Sequence, residues 1–144
     1  MINRNAPEVM VYFRSAAMHL EASAELLKVC PKKTWSKLAH EVIYLSGYVV
    51  ECVLKAAILS ATPPRKRAEM VLKFRIDLKH NLDRLKKVLV ESGCVMPAQQ
   101  TYQFRQVLTE WNSEMRYEPI SRAFEDADNV HRSCVGFYSW AERS

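Results

Sequence analysis

Apolar side chains recur at steps of three and four residues along most of the chain, which predicts α-helices rather than strands. Proline suits the first position of a helix but interrupts a helix that has already formed. A first helix is therefore predicted from Pro7 to about Lys28, before Pro31. A second is predicted from an N-cap at Thr34 to about Ser60, where a pair of prolines ends it.

The second predicted helix is apolar around most of its circumference, with Trp35 and Val42 on one side and Val50 on another. A helix of this kind is surrounded by packing partners. It is also long enough to span a bilayer, but Glu51 and Lys55 lie near its middle. Each of these charges costs about 2.5 kcal/mol or more in lipid. We therefore expect a core helix and no membrane partner.

One line of polar and aromatic side chains remains on the second helix. Its members follow steps of four or three residues and fall within about 80° on a 3.6-residue helical wheel: His40, Tyr44, Tyr48, Glu51 and Lys55. Glu51 and Lys55 have the favourable order for an ion pair within one helix, which is a purely structural role. Alternatively, Glu51 lies in a cleft and pairs with Arg116, positioning it for a phosphate.

Three more helices are predicted downstream. The third runs from about His80 to Glu91, with Gly93 after its end, and the fourth from Pro97 to about Asn112. A polar break from Asn112 to Pro119 precedes the last helix, Arg122 to Glu142. The stretch from Arg65 to Lys79 is compatible with a loop or with partial helix. Five helices with short links predict an all-α, five-helix up-and-down bundle with a long central second helix, as one domain over residues 1–144.

The composition agrees with such a bundle, because 49% of the residues are hydrophobic, 26% are charged and only three are glycine.

The N-terminus lacks the apolar core and cleavage site of a signal peptide, so we expect a cytoplasmic protein. Four scattered cysteines among apolar neighbours predict reduced, buried thiols. No histidine has a second ligand at helical spacing, so we expect neither a metal nor a cofactor.

Positive charge is concentrated between Arg65 and Lys87. This region holds nine Lys or Arg against three acids, a balance of +6 compared with +5 for the whole chain. An unbalanced cluster attracts anions such as RNA phosphates or nucleotides, although a merely solvated surface has the same composition. The predicted basic patch comprises Arg65, Lys66, Arg67, Lys73, Arg75 and Lys79.

Three segments carry a family resemblance. The second helix contains Tyr48-x-x-Glu51-x-x-x-Lys55-Ala56, which resembles the tyrosine-rich helix of HEPN domains. His80-x-Leu82-x-x-Leu85 is similar to their H-x-L-x-x-L helix start, and Met115-Arg116-Tyr117-Glu118-Pro119 resembles their R-Y-P element before the final helix. The resemblance implies a helical bundle that commonly forms homodimers and often works beside a small nucleotidyltransferase. In many branches it also implies a metal-independent ribonuclease.

The chain departs from the catalytic HEPN pattern. Catalytic HEPN domains resemble one another in an R-x4-6-H motif, whose Arg and His act as electrostatic stabiliser and proton carrier on the scissile phosphodiester. Here the matching arginine is Arg116, but the next histidine is His131, beyond the reach of the motif. Arg75 and His80 have the R-x4-H spacing but precede the third helix rather than the last one.

Three functions are therefore expected, in descending order. The first is a dimeric, HEPN-like binding module that engages nucleotide or RNA, or a nucleotidyltransferase partner. Its ligand-binding candidates are Tyr48, Glu51, Lys55, His80, Arg116 and Tyr117. The second is a metal-independent ribonuclease of a toxin–antitoxin or phage-defence system, using Arg116 with His80 or His131. The third is a structural dimerisation module. We also expect His80 either to cap its helix or to bridge to Glu51.

Overall fold

The computed structural model describes residues 1–118 and 120–144, so Pro119 of the predicted polar break lies outside the described residues. The described residues form six α-helices: α1 Pro7–Val29, α2 Lys37–Ala61, α3 Arg67–Lys73, α4 Leu82–Glu91, α5 Ala98–Glu110 and α6 Phe124–Arg143. Short 3-10 turns span Pro64–Lys66 and Ser113–Tyr117. The all-helical prediction is confirmed, whereas the predicted count of five helices is wrong.

The additional helix lies in the stretch for which the sequence left both loop and helix open. After the first 3-10 turn, α3 leads directly into a π-helical turn, Phe74–Leu78. Phe74 and Leu78 are both 1% exposed, which anchors this short segment to the core. Tertiary packing therefore stabilises a helix that is too short to be stable by itself.

Helix α2 begins later than predicted, because Ser36 and not Thr34 is its N-cap. The Ser36 hydroxyl accepts a hydrogen bond from the Ala39 amide at 3.1 Å. Ser36 also exchanges two backbone hydrogen bonds with Arg122, at 2.9 and 3.0 Å, which ties the start of α2 to the chain before α6. Trp35 consequently precedes the helix and is 67% exposed, so it does not belong to the predicted apolar face.

Helix α4 also starts later than predicted. Asn81 is the N-cap, since its side chain accepts from the Arg84 amide at 3.1 Å, and His80 lies just outside the helix. At the other end, Gly93 follows the C-cap with φ of 96°, a conformation that glycine adopts without steric cost. The prediction of Gly93 as a helix terminator is confirmed.

Helix α2 occupies the centre of the bundle. It packs against α1, α4, α5 and α6, and every residue from Val49 to Leu59 is buried. It is long and apolar enough to cross a membrane, but 83% of its most apolar window lies inside the bundle. The apolar surface of α2 is therefore used to form the core, as the sequence predicted.

The four cysteines are free thiols. Cys30, Cys52 and Cys134 are buried as expected, but Cys94 is only half-buried, so the prediction of burial is wrong there. Burial raises the pKa of Cys52 to about 12, with the nearby Glu51 carboxylate as a second cause. That thiol stays protonated and contributes packing rather than reactivity.

Candidate functional site

Two hydrogen bonds fasten the connection between α5 and α6 to the polar line of α2. His40 is buried, and its Nε2–H donates to the Met115 carbonyl at 2.8 Å. The Trp111 indole N–H donates to the Tyr44 carbonyl at 2.9 Å. Because both bonds reach the chain between α5 and α6, they fix that connection beside the exposed part of α2, where Tyr48 lies.

Glu51 lies one turn further along α2 and is only 4% exposed. Its carboxylate accepts hydrogen bonds from Lys55 Nζ at 3.1 Å and from His80 Nδ1–H at 2.8 Å. The predicted bridge from His80 to Glu51 is confirmed. The alternative pairing of Glu51 with Arg116 is wrong, because the Lys55 ammonium engages one carboxylate oxygen and the His80 imidazole engages the other.

The backbone of the segment Asp77–Arg84 presents His80 to Glu51. Lys79 has φ of 47°, an uncommon conformation for a residue with a side chain, and it turns the chain out of the preceding π turn. Arg84 closes this segment by donating to the Asp77 side chain at 2.8 Å and to its carbonyl at 3.1 Å. His80 thus leaves 42% of its side chain exposed while Nδ1 is the ring nitrogen that bonds Glu51.

Arg116 lies in the 3-10 turn Ser113–Tyr117, which the buried Met115 anchors to the core. Its guanidinium stacks over the Tyr117 ring, 4.7 Å from the ring centroid. No carboxylate of the described residues lies within 4.0 Å of that guanidinium. Tyr117, followed by Tyr44 and Tyr48, raises the pKa of Arg116. Arg116 is therefore an exposed cation beside the tyrosines of α2.

A cleft of about 520 Å³ separates the segment Asp77–Arg84 from the segment Leu108–Arg116, which together we call the cleft walls. His80 and Arg84 line it from one wall, and Trp111 and Arg116 from the other. The lining carries the cations Lys79, Arg84 and Arg116 against the carboxylates Asp77 and Glu114, and Asp77 is already paired with Arg84. This excess of positive charge gives the cleft anion-binding character. The structure brings His80 and Arg116 to one site, with Glu51 buried behind His80.

Two other ligand-binding candidates have mainly packing roles. Lys55 is 7% exposed and lies 5.5 Å from the centroid of the Phe74 ring, so it is enclosed rather than open to a ligand. Tyr48 is half-buried, and its hydroxyl accepts from Tyr44 at 3.2 Å. Burial raises the pKa of Tyr48, so that its phenol stays protonated. Tyr117, by contrast, is 68% exposed beside Arg116.

The predicted basic patch needs one correction. Arg67 is 8% exposed and its Nε–H donates to the Leu59 carbonyl at 3.1 Å, so it stabilises the end of α2 and faces no ligand. The other members are exposed: Arg65, Lys66, Lys73, Arg75 and Lys79. Of these, only Lys79 lines the cleft, and Arg75 does not join His80 there.

The sequence pattern did not identify three side chains of this region. Arg84 and Trp111 line the cleft, and His19 of α1 places its ring 5.8 Å from the ring of Tyr48. The seven-residue step from Tyr12 to His19 on one face of α1 was the available signal. His131, considered with Arg116, is buried and its Nδ1 is bonded to Ser23 Oγ at 3.1 Å, away from the cleft lining.

Comparison of the chain with protein-family models, with curated proteins and with solved structures finds no match.

Proposed function

We propose that this chain is a HEPN-like binding module that engages nucleotide or RNA in the cleft between its two walls. The observation that carries the proposal is the presence of an unpaired Arg116 and an exposed His80 edge on facing walls of one cleft. Arginine presents several donors to a phosphate in a fixed geometry, and a histidine N–H adds another. Exposed Tyr117, next to Arg116, offers a face for base stacking.

The family resemblance extends this proposal to partners. We propose a cytoplasmic homodimer that works beside a nucleotidyltransferase, since the Tyr48–Ala56 segment and the His80 helix start resemble those of HEPN domains. The exposed basic side chains between Arg65 and Lys79 would then extend the anion-binding surface beyond the cleft.

The test is binding of a fluorescent single-stranded RNA oligonucleotide and of ATP at low salt, followed by anisotropy. Arg116→Ala is expected to weaken RNA binding about tenfold and to reduce the salt dependence by roughly one phosphate contact. Arg105→Ala removes an exposed arginine of α5 outside the cleft and is the matched control, with little change expected. The absence of wild-type binding to either probe would refute the ligand proposal.

A metal-independent ribonuclease is the second candidate, favoured by the hydrogen bond between Glu51 and His80. A carboxylate that accepts from Nδ1–H holds the ring in one orientation and leaves Nε2 to exchange a proton with substrate. Arg116 on the facing wall would stabilise the charge that develops on the phosphate. His80 and Arg116 are the two residues that we propose as catalytic.

This candidate predicts RNA cleavage in the presence of EDTA, with a 2′,3′-cyclic phosphate on one product. At saturating RNA, Arg116→Ala is expected to lower the cleavage rate by about 10²-fold or more, because one stabilising donor is lost from the transition state. RNA that is bound but stays intact across several substrates, without growth inhibition on expression, would exclude the ribonuclease and keep the binding module. If neither binding nor cleavage occurs, a structural dimerisation module becomes the preferred function.

A further inference from the structure

Two imidazoles contact the same tyrosine ring at the surface of α2. The ring centroid of Tyr48 lies 5.8 Å from that of His19 and 5.7 Å from that of His80. The two imidazoles are therefore no farther apart than the sum of these two distances. His19 comes from α1 and His80 from the segment before α4, so two separate elements deliver them to one place.

The surface around Tyr48 is the exposed part of the middle of α2. Between Val42 and Leu59, only Tyr44, Leu45 and Tyr48 are partly exposed, while the other residues are buried. Tyr44 and Tyr48 are also the α2 tyrosines that raise the pKa of Arg116. The exposed strip of α2 is thus bordered by His19, His80 and Arg116.

The environments of the two imidazoles differ. His80 donates Nδ1–H to the Glu51 carboxylate, which holds the ring in one orientation. Burial lowers the pKa of His19, and the Glu51 carboxylate opposes this effect only in part. The His19 ring contacts Tyr48 of α2, and His80 contacts the same tyrosine ring. His19 is accordingly neutral at pH 7.

Cleavage of RNA without a metal needs two proton carriers. One takes the proton of the 2′-hydroxyl as its oxygen attacks phosphorus, and the other protonates the 5′-oxygen as that oxygen leaves. His80 supplies only one of these groups, and Arg116 is permanently protonated and cannot serve as the other. The ribonuclease proposed above therefore lacks a second carrier unless another residue provides it.

We propose that His19 is this second proton carrier, acting with His80 across the ring of Tyr48; the inference rests on the ribonuclease proposed as the second candidate. His19 takes the 2′-hydroxyl proton while the bond between the 2′-oxygen and phosphorus forms. The bond from phosphorus to the 5′-oxygen breaks, and His80 Nε2–H gives its proton to that oxygen. The products are a 2′,3′-cyclic phosphate and a free 5′-hydroxyl, and both imidazoles return to their starting states by proton exchange with water.

The test uses an RNA oligonucleotide and the same oligonucleotide with sulfur in place of the bridging 5′-oxygen at one linkage. A thiolate leaves without being protonated, so the sulfur substrate needs the base but not the acid. His80→Gln should lose about 10²-fold or more in rate on the oxygen substrate and recover on the sulfur substrate. His19→Gln should lose rate by a similar factor on both, while its affinity for RNA stays unchanged.

Two further variants separate chemistry from packing. His19→Phe keeps an aromatic ring against Tyr48 but carries no proton, and it should be as inactive as His19→Gln. Met18→Gln changes the exposed neighbouring residue on α1 and should leave cleavage unchanged. The wild-type pH–rate profile should fall on the acid side as His19 becomes protonated, and this limb should be missing from the residual rate of His19→Gln.

Each other result decides against the inference. Full activity of His19→Phe would assign His19 a packing role, and sulfur rescue of His19→Gln instead of His80→Gln would reverse the two roles. If the wild type binds RNA but does not cleave it, the ribonuclease and the role of His19 both fail while the binding module stands. If the wild type does not bind RNA, the binding proposal fails as well.

Discussion

Glu51→Gln is expected to lower the free energy of unfolding by about 4 kcal/mol, measured by urea denaturation at neutral pH. Lys55 is 7% exposed and has Glu51 as its ion-pair partner at 3.1 Å, so the substitution leaves a buried ammonium group without its counter-charge. Removal of one member of a buried pair is far more costly than loss of the pair as a unit, because the remaining charge cannot reach water.

The double variant Glu51→Gln with Lys55→Met is the companion measurement. Methionine fills a similar volume between Tyr12 and Phe74 without a charge, so most of the lost stability should return. Glu25→Gln is the matched control, because the Glu25–Lys28 pair at 2.9 Å is exposed and solvent screens it. Glu25→Gln should cause no measurable loss in the free energy of unfolding. A cost for Glu51→Gln as small as that of the control would show that Lys55 reaches solvent.

Gly47→Ala is expected to have the second-largest effect, a destabilisation of about 3 kcal/mol together with weakened RNA binding. A Cβ at position 47 would overlap the indole ring of Trp111, a large side chain that is only 5% exposed. The indole would have to leave its position, which breaks its hydrogen bond to the Tyr44 carbonyl and displaces one wall of the cleft. Thermal unfolding measures the loss of stability, and the anisotropy of the fluorescent RNA measures the loss of binding.

Gly136→Ala provides the comparison within the same protein. A Cβ there would meet the amide end of Gln103, a flexible side chain that can rotate away. Alanine also favours a helix over glycine by up to about 1 kcal/mol, so the net change should be close to neutral or stabilising. Equal destabilisation by both substitutions would mean that the helix backbone, and not the contact with Trp111, sets the cost at position 47.

The spacing of residues along the sequence predicted which side chains of α2 lie together at the site. His40, Tyr44, Tyr48, Glu51 and Lys55 lie on one line of α2, as their spacing indicated, because helical geometry follows from sequence separation alone. The bridge from His80 to Glu51 was also among the expected contacts, since a histidine and a buried carboxylate complete each other's hydrogen bonding.

Contacts between elements were predicted less well. The basic composition of the segment around Arg67 did not reveal that this arginine turns inward to the Leu59 carbonyl, or that Phe74 anchors the segment as helix and π turn. The sequence left two partners open for Glu51, Lys55 on the same helix and Arg116 from the final break, whereas Lys55 and His80 occupy both oxygens of that carboxylate in the structure. Charge pairing depends on distance, which sequence spacing does not supply across a bundle.

Periodicity within single helices was enough to predict an all-helical bundle around α2 and the α2 side chains that form its polar line. The tertiary structure alone decided that there is a cleft and which residues share it. Trp111 reaches Tyr44 across 67 residues, and Met115 reaches His40 across 75. The way α1 packs on α2 brings His19 to Tyr48. Such long-range contacts depend on how whole helices pack, and no local pattern of residues encodes that arrangement.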